Sequence, residues 1–219
     1  MSGPEQTPRR RVLRYNFRER VTHWFAGLSY LYLLFTGLAF WSPWCFWMAI
    51  ALGGGQVSRT FHPWAGLIFA GAVFFMYGMW SSQMRNTPAD KAWWKAVRYY
   101  STNQDDKMPR AGRYNAGQKF LFWGFFWCSL ILLATGVILW IPQYFPWHSP
   151  TAMRICVFSH ASAALFTIGL FLVHLYMGLF AERGALASVV RGDVSIAFAK
   201  RYHPDWYEEI SRQPASPRK

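Results

Sequence analysis

The stretch VFSHASAALFTIGLFLVHLYMGLF, Val157 to Phe180, is an apolar run interrupted by two histidines, His160 and His174. It is long enough to cross a bilayer as a helix. Fourteen residues of α-helix rise about 21 Å and turn through about 1400°, about 40° short of four full turns. The two imidazoles therefore share nearly one face, one near each end of the span. Ionisable residues inside a membrane are costly and face the bundle interior, where they bind something or carry charge. A single histidine is equally well read as a polar group satisfied by neighbouring helices, so the other histidines decide the matter.

Composition sets the class. The 219 residues are 53% hydrophobic and 20% aromatic but only 15% charged, and the charges fall in blocks between long apolar runs, as in an integral membrane protein. The net charge of +13 does not point to nucleic acid, because the basic residues flank apolar segments and form no stripe on a polar domain. Cys45, Cys128 and Cys156 occur singly, without the spacings of iron–sulfur ligation or covalent c-type haem, and are read as packing residues. The apolar run after Arg20 is long enough to span and lacks a small-residue cleavage site after it, so no cleavable signal is expected.

Taken in order, residues 1–20 form a polar N-terminal segment. Residues 21–181 form a four-span domain, and residues 182–219 a polar tail. The spans are predicted at Val21 to Phe40, His62 to Trp80, Lys119 to Trp140 and Val157 to Phe180. Trp41, Trp44 and Trp47 suit a membrane interface, and Gly53 to Gly55 suit a tight re-entry turn rather than a phosphate loop, since no lysine and serine follow. Pro63 suits the first turn of the second helix. KAWWKAVRYY, residues 91–100, reads as an amphipathic stretch lying along the interface. Of the 23 cations, 21 fall in the N-terminal segment, the 81–119 connection or the tail, leaving only Arg59 and Arg154 on the other side. The positive-inside rule then puts both termini in the cytoplasm.

His23 opens span one and His174 lies near the cytoplasmic end of span four, whereas His62 and His160 lie toward the other face. Depth pairs His23 with His174 and His62 with His160. Two imidazoles on facing helices are the axial pair that haem b requires, and a bundle core is where such sites are built. Zinc or di-iron sites fit less well, because no carboxylate lies in any span. The expected fold is thus an all-α, integral membrane four-helix bundle with two haem b groups in its core. Arg59 is a candidate partner for a haem propionate or a loop charge facing a partner. His148 and His203, outside the spans, are expected as surface or interface histidines.

Several motifs together resemble the cytochrome b (gamma) subunit of respiratory, membrane-bound formate dehydrogenases. They are R-Y at Arg14 and Tyr15, R-x-x-H-W from Arg20 to Trp24, G-G-G-Q-x-x-R-x-x-H-P from Gly53 to Pro63, and R-Y-N-A-G-Q-K from Arg113 to Lys119. The His160 and His174 pair, H-x-Y-M from His174 to Met177, and H-P-x-W-Y from His203 to Tyr207 complete the set. The resemblance covers nearly the whole chain in order. It implies a haem held by His62 and His160 on the periplasmic side and another held by His23 and His174 on the cytoplasmic side of a bacterial inner membrane. It implies as partners an iron–sulfur (beta) subunit and a molybdenum- or tungsten-containing catalytic (alpha) subunit, with menaquinone or ubiquinone as electron acceptor.

The same resemblance implies that Asn115, Gly117 and His174 contact the quinone. Read alone, Asn115 can donate its amide to a quinone carbonyl and Gly117 leaves room for a ring to approach the backbone, but asparagine before a helix is also a preferred cap. Rival readings are the cytochrome b of a nickel–iron hydrogenase or thiosulfate-type reductase, a plain membrane anchor, and a transporter with a histidine proton relay. The relay predicts intramembrane carboxylates or broken helices, and the sequence has neither.

Overall fold

The computed structural model describes residues 11–102, 104–146 and 149–212; His148 and the terminal cations Arg9, Arg10, Arg218 and Lys219 lie outside them. The principal elements are β1 (Arg11–Leu13), α1 (Phe17–Trp41), α2 (Phe46–Ala51), α3 (Gly55–Trp80), α4 (Pro88–Ser101), α5 (Ala116–Trp140), α6 (Pro150–Tyr176), α7 (Ala185–Val190), β2 (Asp193–Ser195), α8 (Ile196–Tyr202) and α9 (Pro204–Arg212). Among the described residues, α1, α3, α5 and α6 are the helices long and apolar enough to cross a membrane. A wider π turn, Met177–Ala181, continues α6.

All four of these helices start earlier than the apolar runs suggest, and at α1, α5 and α6 a side-chain cap marks the start. At α1, Asn16 Oδ1 accepts from Glu19 N at 3.0 Å while Glu19 Oε2 accepts from Asn16 N at 2.8 Å. Asn115 and Gln118 exchange the same two bonds at α5, at 2.9 and 3.2 Å. At α4, Asp90 accepts from Thr87 N at 2.6 Å, and at α6 Ser149 Oγ accepts from Ala152 N at 3.1 Å. Each arrangement satisfies backbone donors that a helix start leaves unpaired. Gly53 and Gly54, both at φ +98°, close α2 and turn the chain into α3 as expected, a conformation only glycine takes without strain. Because α3 starts at Gly55, Pro63 lies inside the helix, not in its first turn. A proline there offers no N–H to the Arg59 carbonyl.

The contacts divide the chain into two compact units: residues 21–80 with 122–173, and the described parts of 1–20, 81–121 and 174–219. The first, apolar unit centres on Tyr30 of α1, whose ring lies 5.6 Å from Phe69 of α3, 5.9 Å from Phe125 of α5 and 5.0 Å from Phe171 of α6. Its hydroxyl meets Thr167 Oγ1 at 3.2 Å. In lipid, apolar surface gains little by leaving its solvent, so tight packing must hold helices together. Gly124 shows this: a Cβ there would stand 2.7 Å from Leu170 Cδ1.

The second, polar unit departs from a purely helical plan. β1 and β2 pair antiparallel with Val12 opposite Val194, and Arg11 grips the Asp193 carboxylate at 2.7 Å through two nitrogens. The tail is folded rather than trailing: Val194, Phe198, Ala199 and Trp206 form a small buried core. α4 forms where the amphipathic stretch was expected, burying Asp90 and Trp93 and exposing Trp94 and Val97.

Candidate functional site

In the apolar unit, His62 of α3 and His160 of α6 face each other with ring centroids 6.4 Å apart and planes at 55°. Two metal–imidazole bonds of about 2.0–2.1 Å, with about 1.1 Å from each nitrogen to its ring centre, require a centroid spacing of about 6.3 Å. The observed centroid spacing matches that distance. Thr36 Oγ1 of α1 lies 2.6 Å from His62 Nδ1, and Thr135 Oγ1 of α5 lies 2.9 Å from His160 Nδ1. Beside them, a Cβ at Gly37 would stand 3.9 Å from His62 Cε1, and one at Gly136 would stand 3.2 Å from His160 Cε1. Arg59 is exposed on α3, one turn before His62.

The other two histidines fall in different units and are described each in its own. His23 is half-buried on α1, with its ring edge-on to Trp24 at 5.9 Å. His174 is exposed on the last turns of α6.

The polar unit assembles Asn115 and Gly117 in one place. Asn115 Oδ1 is engaged in the α5 cap, and its Nδ2 points to Glu182 Oε1 at 3.3 Å. Glu182, a buried carboxylate on the tail, also accepts from the Tyr100 hydroxyl. The space at the Gly117 backbone is taken by an indole, since a Cβ there would come 3.0 Å from Trp93 Cη2. Asn115 and Trp93 border a cavity of about 740 Å³ whose mixed lining includes Arg14, Glu19, Asp90 and Lys119. Charges in this wall are mutually compensated: Lys119 Nζ is 2.7 Å from Asp90 Oδ2 and Arg113 Nη2 is 2.8 Å from Glu19 Oε1.

His203 corrects an expectation. It is fully buried, not a surface histidine, and its Nδ1 donates to Gly112 O at 2.8 Å. Burial, reinforced by the nearby Arg14 charge, holds its pKa well below the ordinary histidine value. Its role is to tie α9 to the segment leading into α5. Arg14, stacked between Phe198 and Trp206 at 5.5 and 5.6 Å, belongs to the same core.

The structure also exposes a repeat that periodicity alone does not bring out. Arg-Tyr-Asn at 14–16 recurs at 113–115, Trp24 at Trp123, Leu33-Leu34 at Leu132-Leu133, and Thr36-Gly37 at Thr135-Gly136, always 99 residues on. The two copies engage reciprocally. Arg14 Nη2 donates to the Arg113 carbonyl at 3.0 Å, Arg113 Nη2 donates to the Arg14 carbonyl at 2.5 Å, and Tyr15 stacks on Tyr114 at 6.4 Å. His62 and His160 stand 26 and 25 residues beyond their threonines, so one histidine comes from each half.

A family model described as prokaryotic cytochrome b561 matches residues 14–192. The chain is 32% identical over 202 residues to the formate dehydrogenase cytochrome b556(fdo) subunit of Escherichia coli K12, covering 92% of this chain and 94% of that one. It is 31% identical over 207 residues to the nitrate-inducible formate dehydrogenase cytochrome b556(Fdn) subunit of the same strain, covering 93% and 94%. A formate dehydrogenase cytochrome b556 subunit of Haemophilus influenzae is 31% identical over 209 residues, covering 95% of this chain and 87% of the relative.

Proposed function

The chain belongs to the prokaryotic cytochrome b561 family, with formate dehydrogenase cytochrome b556 subunits as relatives along nearly its whole length, and from that premise we propose that it is the membrane electron-transfer subunit of a formate dehydrogenase complex. In this reading it takes electrons from a periplasmic-side iron–sulfur subunit, itself fed by a molybdenum- or tungsten-containing formate-oxidising subunit. It delivers them to menaquinone or ubiquinone near the cytoplasmic side of a bacterial inner membrane. The observation that carries the reading is the His62–His160 pair, facing at a spacing that suits two ligands on one metal.

His62 and His160 hold one haem b in this proposal, with Arg59 as cationic company for a propionate. His23 and His174 hold the second, on the sequence argument of matched depth. Haem b, when bound, supplies reversible one-electron transfer whose potential is tuned by its axial ligands and their hydrogen bonds. At the acceptor site, the Asn115 amide has two protons. One is aimed at Glu182, which fixes the amide's orientation, and the other is free to meet a quinone carbonyl. His174 completes the contact, on the sequence argument, while the Gly117 backbone is covered by Trp93. Quinone reduction takes up two protons for two electrons, and the cavity beside Asn115 gives water a place to supply them.

The test is purification of the intact complex in mild detergent. We expect two haem b per chain, an iron–sulfur polypeptide and a molybdenum or tungsten polypeptide in one assembly. A nickel–iron enzyme in their place, or a chain without b-type haem, would overturn the proposal.

A further inference from the structure

Thr36 and Thr135 make matching sets of contacts, each also lying near the carbonyl three residues back, Leu33 at 3.2 Å and Leu132 at 3.5 Å. Thr36 Oγ1 lies 2.8 Å from the Tyr32 carbonyl one turn back and 2.6 Å from His62 Nδ1. Thr135 Oγ1 lies 2.6 Å from the Ile131 carbonyl one turn back and 2.9 Å from His160 Nδ1. A threonine hydroxyl has one proton and two lone pairs. In both cases that proton is directed to the helix's own carbonyl, which can only accept, a bonding pattern familiar for threonine within helices. The oxygen must then accept from the imidazole, so each Nδ1 carries the ring proton and each Nε2 is left with a free lone pair.

We propose that Thr36 and Thr135 are positioning residues for a single haem, fixing both axial histidines in the tautomer whose Nε2 binds iron and raising the basicity of those ligands. The inference rests on the reading of His62 and His160 as haem ligands. It goes beyond that reading in assigning the ligating nitrogen, the ring orientation and a control of redox potential to residues of the two neighbouring helices. Four helices thereby contribute to one site: α3 and α6 give the ligands, and α1 and α5 give the acceptors that orient them. The glycine after each threonine leaves the imidazole room to lie against the helix, closely so at Gly136. The occurrence of the same Thr-Gly pair at equivalent places in both halves, 99 residues apart, argues against a chance contact.

A hydrogen-bond acceptor on the distal nitrogen makes a metal-bound imidazole a stronger donor, which favours the oxidised iron. Removing it raises the reduction potential. Valine keeps the branched shape of threonine and its χ1 preference while deleting the acceptor.

The experiment is a redox titration of the haem α-band in the purified complex, with electron paramagnetic resonance of the oxidised form. It uses Thr36→Val, Thr135→Val, the double variant and the serine variants, with His160→Ala as control. We expect one of two b haems to shift to higher potential in the valine variants, most in the double variant, with the other haem unmoved. Serine at either place should restore the native potential. Haem retention should weaken roughly 10–100-fold in the double variant. Native potentials and signals in both valine variants, with His160→Ala lacking that haem, would overturn the role of the threonines while leaving the ligand assignment intact. Retention of both haems in a folded His160→Ala protein would instead overturn the ligand assignment. If a valine variant loses haem outright, the serine variant decides: recovery supports the hydrogen bond, and continued loss contradicts it.

Discussion

Lys119 Nζ lies 2.7 Å from Asp90 Oδ2, joining the first turns of α5 and α4 through a charge pair almost shielded from water. Burial pushes the Asp90 carboxyl up, but the bonds from Lys119 and Thr87 outweigh it and hold the pKa below the ordinary 3.8. Breaking such a pair leaves one buried charge uncompensated and costs about 3–5 kcal/mol, whereas replacing both partners can be nearly neutral. Lys119→Met is therefore expected to lower the thermal midpoint in detergent sharply, and Asp90→Asn added to it to recover much of the loss. Because the folded pKa is depressed, this stabilisation is present above the unfolded-state value and lost as pH falls through the folded one.

His203 should make the polar unit acid-sensitive over a different range. Its folded pKa lies well below the unfolded value of 6.5, so between the two the unfolded chain binds a proton that the folded chain refuses. Stability then falls as pH is lowered from about 6.5. Among the described residues, the groups in contact with it, Phe198, Trp206 and the Gly112 carbonyl, carry no negative charge, and the nearby Arg14 is cationic. His203→Asn keeps a donor for Gly112 but cannot titrate. Thermal midpoints against pH should be flatter for this variant, and parallel curves would show that another group is responsible.

Asn115 separates two roles that share one side chain. Its Oδ1 caps α5, and serine or aspartate can do the same; its Nδ2 is what neither can replace. Asn115→Asp and Asn115→Ser are expected to keep both haems and their reduction by the donor while altering quinone KM and inhibitor affinity. Asn115→Ala should in addition cost about 1 kcal/mol in stability. Unchanged quinone kinetics in the serine and aspartate variants would reduce Asn115 to a cap.

Electrons that enter at the periplasmic face and leave near the cytoplasmic face cross the membrane against an inside-negative potential, at about 2.3 kcal/mol per charge per 100 mV. Formate-driven quinone reduction in sealed vesicles with outward-facing donor subunits should generate a membrane potential read by a voltage-sensitive dye. Electroneutral turnover would displace the quinone site from the cytoplasmic side.

How much of this is legible without coordinates depends on range. The four spans, the turn at Gly53 and Gly54, and the closeness of His62 to His160 follow from apolar length, glycine chemistry and depth, all properties that a linear sequence displays. The early starts of α1, α5 and α6 are hidden because caps are polar and local, so hydropathy overlooks them, although Asn16-x-x-Glu19 and Asn115-x-x-Gln118 are visible signatures once sought. The burial of His203 is not legible, since it depends on α8 and α9 folding back on Arg14 and Gly112. Thr36 and Thr135 were missed for another reason: a threonine in an apolar helix has no distinctive pattern, and only the 99-residue repeat of Thr-Gly marks these two. Gly117 is a case where the residue type was read as space for a ligand and the space is filled by Trp93.

The haem-to-chain ratio of the purified complex and of its His160→Ala variant tests the central assignment most directly, measured by pyridine haemochrome assay together with reduced-minus-oxidised spectra. We expect about two haem b per chain in the native protein, from two bis-histidine sites, and about one in the variant, with the component that Thr36→Val shifts missing. A folded His160→Ala complex that keeps both haems with unaltered spectra would contradict it.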